Sequence, residues 1–432
     1  MSTDPRFDPA WRSRLRFYFA GFALSTAGDW LYGVVLTVYV YNRTHSALWI
    51  AGMNILRFLP YVVLAPVVGY VGDRWPQPRV MVGADAARAT FMGVLATLVA
   101  ADAPIAGVVA VATVSTSVST LYAPAMNAML AERVPPGRLG GVNATFSTIH
   151  SVALLVGPAA GAAMLAVGSP ATAIAVNGAT FVVSGIAVLS GAIPRPATGE
   201  AAADEPPAAT DPGDDASAST WDAMVEGFHA LSQQAYARVL VSAYTGVCLV
   251  YGTETVLLVL AAERRLHTGG SGYGLLLAAA GAGGIVAAPL VTRLTRAGRH
   301  TTGLRLAMLG AGLPLCCLAL TTTSGVGYGL LAVDGASSVV IDVVVITLLQ
   351  QATENTVTAR AYAMLDGAGT AGMLVGMFAA PWLVSLFGLQ TALVVSGVTL
   401  PAQLLFAGAG LRAVDARVRS MGEQPVEVAD GS

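Results

Sequence analysis

Asp29 is an acidic residue inside a long apolar stretch, and it shares a helical face with Ser25 and Tyr32, about one turn away on either side. An ionisable group costs about 2.5 to 3.5 kcal/mol at the centre of a membrane-spanning helix, so such a group is expected to face a polar cavity. Its charge changes when it gains or loses a proton. We therefore predict that Asp29 is a protonatable group on a cavity surface.

Arg57 lies in the second apolar stretch, on one face with Asn54 and Tyr61. Because a guanidinium stabilises a nearby carboxylate, Arg57 is the expected charge partner of Asp29. Two interpretations stay open. The two residues form either a permanent structural ion pair between helices or a pair that separates when Asp29 takes up a proton.

Two acids of the second half, Glu254 and Asp334, fall toward the same end of their apolar stretches. They either meet across a cavity or pair with Arg264 or Arg265 at its rim, since groups near helix ends can extend to the membrane surface. Both acids are candidates for proton coupling.

Asp342 lies deeper in the tenth apolar stretch and shares a face with Asp334 and Ser338. It is a further proton-coupling candidate, and Ser338 is expected to line the same cavity. Asp366 lies near the start of the eleventh stretch, close to Arg360, and is expected to serve a gate.

His150 lies in the fifth apolar stretch with Asn143 and Ser147 on its face. A single His in such a stretch is either a hydrogen-bonded packing residue or a proton relay. With no second His or Cys near it, no metal site is expected. Met and aromatic side chains either adapt to varied ligands or only pack the core. The residues in this class are Tyr122, Met126, Tyr244, Tyr251 and Met364.

The chain that must position these residues has 432 residues, of which 55% are hydrophobic and only 11% are charged. Soluble domains carry about 25% charge, and a membrane-spanning helix needs about 20 apolar residues. The apolar runs lie near 15–41, 46–71, 79–101, 104–130, 139–167, 170–193, 238–260, 271–292, 303–323, 326–352, 358–387 and 390–411. We therefore expect an all-α membrane protein with twelve transmembrane helices in two six-helix bundles.

Charge and composition predict how the chain is divided and oriented. The expected segments are a tail at 1–14, bundles at 15–193 and 238–411, a Pro- and acid-rich linker with a possible amphipathic helix at 194–237, and a tail at 412–432. With the N-terminus inside, 19 of the 23 Arg, counting Arg88, lie on or near the cytoplasmic side. Both termini are therefore predicted to be cytoplasmic in a multi-pass protein of the cell membrane.

Short matches between the two halves indicate a duplication. The tripeptide Leu-Val-Gly at 155–157 recurs at 374–376, and Thr172-Ala173 recurs as Thr391-Ala392, at a common offset of 219 residues. Many transporters place a substrate site between two pseudo-symmetric halves of this kind.

The loop after the second apolar run contains Gly69, the pair Asp73-Arg74, and Arg79. Small residues let helices approach closely, and an Asp-Arg pair can bond a neighbouring helix terminus and so hold one bundle arrangement. The loop resembles the signature Gly-x-x-x-Asp-Arg-x-Gly-Arg-Arg of the major facilitator superfamily, in which Arg79 would be a shifted substitute for the basic end. The resemblance implies that this motif acts in gating.

Further motifs resemble the drug-proton antiporter branch of that superfamily, which includes macrolide exporters and the enterobactin exporter. Gly157-Pro158-x-x-Gly161 is similar to the antiporter signature, and its alternative role is helix packing with a Pro kink. The other matching motifs are Ser25-x-x-Gly28-Asp29, Arg57-x-x-Pro60 and Tyr122-Ala-Pro124-Ala. The resemblance implies proton-coupled efflux of drugs or other amphipathic molecules by alternating access.

Signals for other functions are missing from the sequence. Without Lys there is no Walker phosphate loop and no basic field for nucleic acid, and no enzyme motif or cofactor site is recognised. The expected partners are a small-molecule substrate, protons and the lipid bilayer, with no obligatory protein partner. Two alternatives stay open. One is a proton-independent or uptake carrier in which Asp29 and Arg57 bind a small organic solute, and the other is a non-transporting scaffold or sensor that uses its linker.

Overall fold

The structure is a computed structural model that describes residues 11–64, 68, 71, 74–134, 136–190, 234–296, 300–352 and 358–422. These residues form helices and short connections, with no strand among them. The helices are α1 (Trp11–Thr44), α2 (Ala47–Val63), α3 (Gln77–Ala100), α4 (Ile105–Ser119), α5 (Tyr122–Arg133), α6 (Pro136–Val167), α7 (Pro170–Ser190), α8 (Ala235–Arg264), α9 (Gly269–Arg296), α10 (His300–Leu318), α11 (Ser324–Ala352) and α12 (Thr358–Gly422). The predicted all-α class is confirmed.

Ten stretches of the described residues are long and apolar enough to cross a membrane. One of them, Met364–Leu405, contains two helices of α12 that meet at Gly388, whose φ of 80° is not helical. Helix α2 has 17 residues and is just shorter than the lengths counted. The expected number of twelve spans stays a prediction with which these two features agree.

Several connections between helices are short, and a residue with positive φ lies just after the end of the preceding helix. His45 and Asp102 take positive φ just after α1 and α3, and His267 does so after α8. His and Asp tolerate this left-handed conformation better than most residues. Pro104 then precedes α4, where a fixed φ suits the start of a helix. The helices therefore reverse direction within a few residues.

One compact unit of the chain consists of residues 1–205, 258–281 and 322–328. Within it, α1 packs against α6 and α7, and α3 packs against α7 and α4. Its largest fully buried side chains include Phe181, Met92 and Leu36. Close packing of buried side chains is the main source of stability available to the unit. Lipid tails are as apolar as these side chains, so hydrophobicity alone does not hold helices together in a membrane.

The second compact unit consists of residues 206–257, 282–321 and 329–432. Within it, α10 packs along α12, and Leu257, Leu315 and Leu400 are among its buried side chains. The predicted domain boundaries stay predictions, and the linker at 194–233 lies outside the described residues.

The duplication predicted from sequence is supported by matching close contacts at Gly157 and Gly376. A Cβ atom on Gly157 would lie 2.6 Å from the carbonyl oxygen of Ala27 and 3.2 Å from the amide nitrogen of Leu31. A Cβ atom on Gly376 would meet the carbonyl oxygen of Leu249 and lie 3.0 Å from the nitrogen of Thr253. In each half, a glycine therefore packs against the same backbone pattern, residues i and i+4 of another helix.

Candidate functional site

Arg88 is the centre of a buried charge cluster in the first unit. It lies in the middle of α3, and its side chain is 8% exposed. Its Nη2 atom donates a hydrogen bond of 2.6 Å to Oδ2 of Asp29, near the middle of α1. The side chain of Asp29 is 43% exposed. The acid is therefore exposed on one side and tied to a buried cation on the other.

Asp85 is the second acid of this cluster, one turn before Arg88 on α3. Its side chain is 1% exposed, and Oδ1 lies 3.6 Å from Nη1 of Arg88. Both of its carboxylate oxygens are buried without a hydrogen bond of normal length, and the hydroxyl of Ser184 on α7 interacts with them at longer range. Two acids thus share one guanidinium, which makes a short bond to only one of them. We refer to Asp29, Arg88 and Asp85 as the Arg88 triad.

The Arg88 triad is held in place by α7. The ring of Phe181 lies 3.7 Å from Cζ of Arg88, a distance at which an aromatic face attracts a cation. Close packing of α1 on α7 depends on Gly28, because a Cβ there would meet Thr180 and Asn177. The glycine beside Asp29 therefore lets α1 approach the helix that supports Arg88.

Arg57 is not the cation bonded to Asp29, so the predicted charge partner is wrong. Its guanidinium lies 4.9 Å from the ring centre of Tyr32, and its Nε has no hydrogen bond. Arg88 is the cation bonded to Asp29 instead. It lies in the middle of α3, whereas the sequence predicts it near the cytoplasmic start of a span. The same position removes Arg88 from the charges used to predict orientation, which leaves 18 of 23 Arg on the side predicted to be cytoplasmic.

Glu254 on α8 and Asp334 on α11 form an acidic pair in the second unit. They are 8% and 4% exposed and interact electrostatically with each other. Oε1 of Glu254 has no hydrogen bond, and neither acid has an ion-pair partner among the residues that the structure describes. The two acids thus lie within range of each other's charge, and their meeting across a cavity and their role in proton coupling stay predictions.

The depth of this acidic pair separates it from the rim. Glu254 lies ten residues before Arg264, the last residue of α8, and Asp334 lies ten residues after Ser324, the first of α11. Ten residues of helix span about 15 Å. The Nε of Arg264 instead donates a hydrogen bond of 2.9 Å to the hydroxyl of Tyr41, within the first unit.

Asp342 is half-buried on α11 and lies in a second group of polar residues in this unit. It interacts electrostatically with Tyr244 and Cys248 on α8, and so does Asp366. Ser338, also predicted to line a cavity, is half-buried on the same helix. The structure therefore brings Asp342 and Tyr244 together, while Asp366 is exposed.

The other predicted cavity residues divide into buried and open ones. Ser25, Tyr32, Asn54, Tyr122 and Met126 are buried. Tyr61, Asn143, His150 and Tyr251 are exposed. His150 faces the ring of Trp30 at 6.2 Å between centroids, and Tyr122 lies 3.4 Å from the hydroxyl of Ser184. The first set is packed inside the unit, although Met126 also lines a groove, and a cavity role for the second set stays a prediction.

A groove of about 440 Å³ lies between α5 and α6. Met126 and Asn143 are two predicted cavity residues that line it. Its other lining residues are Asn127, Leu130, Ala131, Leu139, Phe146 and Ser147. A mixed apolar and amide lining suits an amphipathic solute.

The antiporter-like motif is part of a packing interface in the first unit. Gly157 and Gly161 both face α1, where a Cβ on Gly161 would lie 3.1 Å from the carbonyl oxygen of Leu31. The carbonyl oxygen of Pro158 lies 2.7 Å from the position of a Cβ on Gly274. Helix packing by this motif is thus observed, and its role in coupling stays a prediction.

The predicted gating motif is only partly described. Gly69 and Asp73 lie outside the described residues, and Arg74 and Arg79 are exposed. The role of the motif stays a prediction. Among the described residues, no group of three or more His, Cys, Asp or Glu is placed to hold a metal ion.

Asp85 is the residue of this site that sequence reasoning missed. Asp85 and Arg88 are three residues apart inside one apolar stretch, a spacing that places both on one helical face. This i,i+3 pattern was the available signal. The spacing indicates an acid and a cation side by side in an apolar stretch, and it can be recognised without knowledge of the neighbouring helix.

The chain matches the model of the Major Facilitator Superfamily twice, over residues 18–260 and 243–420. Over 130 residues it is 32% identical to Macrolide efflux protein A of Streptococcus pyogenes, a match that covers 29% of this chain and 32% of that protein. The match therefore spans about a third of the length of this relative.

Solved structures with a similar fold cover nearly the whole chain. A bacterial homologue of the iron transporter ferroportin, in an inward-facing state, has a TM-score of 0.67 at 15% identity and covers 95% of this chain and 99% of its own. The nucleoside transporter NupG has a TM-score of 0.62 at 13% identity, with 95% and 99% covered. At these identities the likeness concerns the fold alone.

Proposed function

This chain belongs to the Major Facilitator Superfamily, and we propose that it is a proton-coupled exporter of drugs or other amphipathic small molecules that works by alternating access. It is a multi-pass membrane protein of a transporter family. Export is supported by the partial match to Macrolide efflux protein A. The predominance of Arg in the loops assigned to the inside supports a cell-membrane protein with cytoplasmic termini.

The observation that carries the proton-coupling proposal is the bond between Asp29 and Arg88 at mid-helix. Asp29 is accessible enough to exchange a proton, while Arg88 is buried. Protonation of Asp29 removes its charge and so breaks the ion pair, which changes the energy of the helix contact between α1 and α3. A group that couples protons to a conformational change must do both of these things.

The acidic pair Glu254 and Asp334 gives the second half a comparable property. Two buried carboxylates that lie within range of each other's charge repel when both are charged. Proton exchange at either acid therefore changes the cost of burying the pair. An alternating-access carrier uses such a change in energy to favour the arrangement of its helices that is open to one side of the membrane over the other.

The proposal is tested in proteoliposomes with an imposed pH gradient and a labelled macrolide as the probe. The parent is expected to move the macrolide against its gradient only when protons flow the other way. Asp29→Asn is expected to lose this gradient-driven movement while remaining inserted in the bilayer. Asp102→Asn, which changes an exposed ion pair with Arg43 far from the cluster, is the matched control and should behave as the parent.

Two outcomes of this experiment would contradict the proposal. Equal gradient-driven movement in Asp29→Asn and the parent would remove Asp29 from the mechanism. Macrolide movement by the parent that does not respond to the pH gradient would support the alternative of a proton-independent carrier.

A further inference from the structure

The guanidinium of Arg88 has two acidic neighbours and a short bond to only one of them. Nη2 lies 2.6 Å from Asp29, and Nη1 lies 3.6 Å from Asp85. We propose that Asp85 is a positioning residue, which receives the guanidinium of Arg88 when Asp29 is protonated. This inference rests on the proposed function, because it assigns a place for Arg88 in the protonated state of the coupling site.

The first argument is the cost of a stranded cation. Arg88 is buried on α3, so loss of the charge on Asp29 would break its short ionic bond and leave only the longer contact of 3.6 Å with Asp85. An unpaired buried charge is among the most destabilising features that a protein can contain. A carrier that protonates Asp29 in each cycle therefore needs a second acceptor for Arg88.

The second argument is the unused bonding capacity of Asp85. Its side chain is more deeply buried than that of Arg88, and its oxygens accept no hydrogen bond of normal length, since the hydroxyl of Ser184 interacts with them only at longer range. A shift of less than 1 Å would bring Nη1 of Arg88 from 3.6 Å to the distance of a charge-assisted hydrogen bond, about 2.8 Å. Because Asp85 and Arg88 are one turn apart on α3, this shift needs no movement of one helix past another.

The third argument is that the described elements around the Arg88 triad offer no better-placed acceptor for the guanidinium. The ionisable side chains that face it are Tyr18 and Tyr32 on α1, Arg57 on α2 and Tyr122 on α5, with His150 of α6 beside Trp30. Helices α4 and α7 carry none. Arg57 lies over the ring of Tyr32, so Asp85 is the remaining carboxylate within reach of Arg88.

The exchange is balanced in charge and atoms. A proton from solvent binds a carboxylate oxygen of Asp29, and the ion pair between Asp29 and Arg88 breaks. The guanidinium then pairs with the carboxylate of Asp85, whose charged form a neighbouring cation favours. Release of the proton reverses both steps. Arg88 remains charged and paired throughout, and the Arg88 triad changes by one unit of charge.

A double-mutant cycle of thermal stability tests whether the two acids share Arg88. Asp29→Asn and Asp85→Asn each leave one carboxylate for the guanidinium, but the double variant leaves none. The double variant is expected to lose about 5 °C or more of Tm beyond the sum of the single losses. Additive losses would overturn the proposal, since they would show that Asp85 does not hold Arg88 when Asp29 is neutral.

Two further variants make the cycle decisive. Asp102→Asn combined with Asp29→Asn is the matched control and should be additive, because Asp102 pairs with Arg43 at the end of α1. If the double variant does not accumulate, the triple variant with Arg88→Met decides. Recovery of the triple variant supports a stranded cation as the cause, and its continued absence overturns the proposal.

A transport measurement separates positioning from mere structural support. Asp85→Asn should lower gradient-driven macrolide movement about tenfold more than it lowers gradient-free exchange, and Asp85→Glu should restore the ratio. An equal loss of both activities in Asp85→Asn would overturn the proposal. If the parent shows no response to the pH gradient, the proposed function fails, but the stability cycle still decides whether Asp85 holds Arg88.

Discussion

The two halves of the molecule bury acidic residues in different electrostatic surroundings. In the first, Asp29 and Asp85 share the guanidinium of Arg88. In the second, Glu254 and Asp334 are buried within range of each other's charge, and no ion pair to either is found among the described residues. The two halves thus repeat the same backbone contacts but contain different sets of charged residues. A duplicated helical scaffold can keep its packing while its polar residues diverge.

This difference predicts opposite responses to the removal of charge. In the Arg88 triad, removal of the cation leaves two acids repelling each other. In the acidic pair, removal of one charge leaves the other with less repulsion. Stability measurements on purified variants in detergent therefore read out the electrostatic arrangement of each half separately.

The largest expected effect is that of Arg88→Met. This variant strands two carboxylates at mid-membrane depth, and we expect a loss of about 3 to 5 kcal/mol in the free energy of unfolding. Thermal unfolding in detergent measures it. Arg43→Met, which changes an exposed pair, is the control, and an equally small effect of both substitutions would break the comparison.

The second-largest effect is expected for the close glycine contacts that the two halves share. Gly157→Ala and Gly376→Ala force a methyl group into the backbone of α1 and α8, and each should cost about 1 to 3 kcal/mol. Gly140 and Gly367 lie on the same helices as these two and have nothing within 4 Å of an added Cβ. Alanine at the two control positions should be neutral or stabilising.

If Gly376→Ala proved harmless while Gly157→Ala did not, the matching contacts would not reflect equivalent packing. The measurement is Tm for all four single variants under one set of conditions. Equal losses within each close-packed pair would sharpen the conclusion that the scaffold is repeated.

A smaller effect of opposite sign is expected for Glu254→Gln. Because this substitution removes one of two like charges, it should leave the free energy of unfolding unchanged or raise it by about 1 kcal/mol. Gradient-driven macrolide movement should fall in the same variant. A loss of stability as large as that of Arg88→Met would show that Glu254 is paired after all.

The smallest effect is expected for Asp102→Asn. Its partner Arg43 and its own side chain are exposed, and surface ion pairs contribute about 0 to 1 kcal/mol. Tm should change little, and less still in high salt. A large loss would show that exposed charge, and not burial, governs the comparison.

Much of the fold could be predicted from sequence because membrane helices leave a strong and local signal. Most apolar runs correspond to one helix within several residues, whereas the run at 104–130 forms both α4 and α5, and α12 covers the last two runs. The repeated tripeptide that ends at Gly157 and at Gly376 indicated the duplication. The break at Gly388 was also marked by the gap between two runs. These features depend on residues near one another in the chain.

The partners of buried charges were harder to predict. Asp29 was found because it interrupts an apolar run, but its cation was assigned to Arg57 on the neighbouring stretch. The bond to Arg88 depends on how α1 and α3 rotate about their axes when both pack on α7. That rotation is a result of tertiary packing, which one sequence does not contain. Glu254 and Asp334 could be matched because both lie at similar distances from helix ends.

Ligand-induced proton release from the purified protein tests the central claim most directly. A macrolide is added to the protein in weakly buffered detergent solution, and the pH is followed with an indicator. The parent is expected to release protons on binding, while Asp29→Asn combined with Glu254→Gln binds the macrolide and releases none. Undiminished proton release by this double variant would contradict the account, because the protons would then come from groups outside the two buried sites.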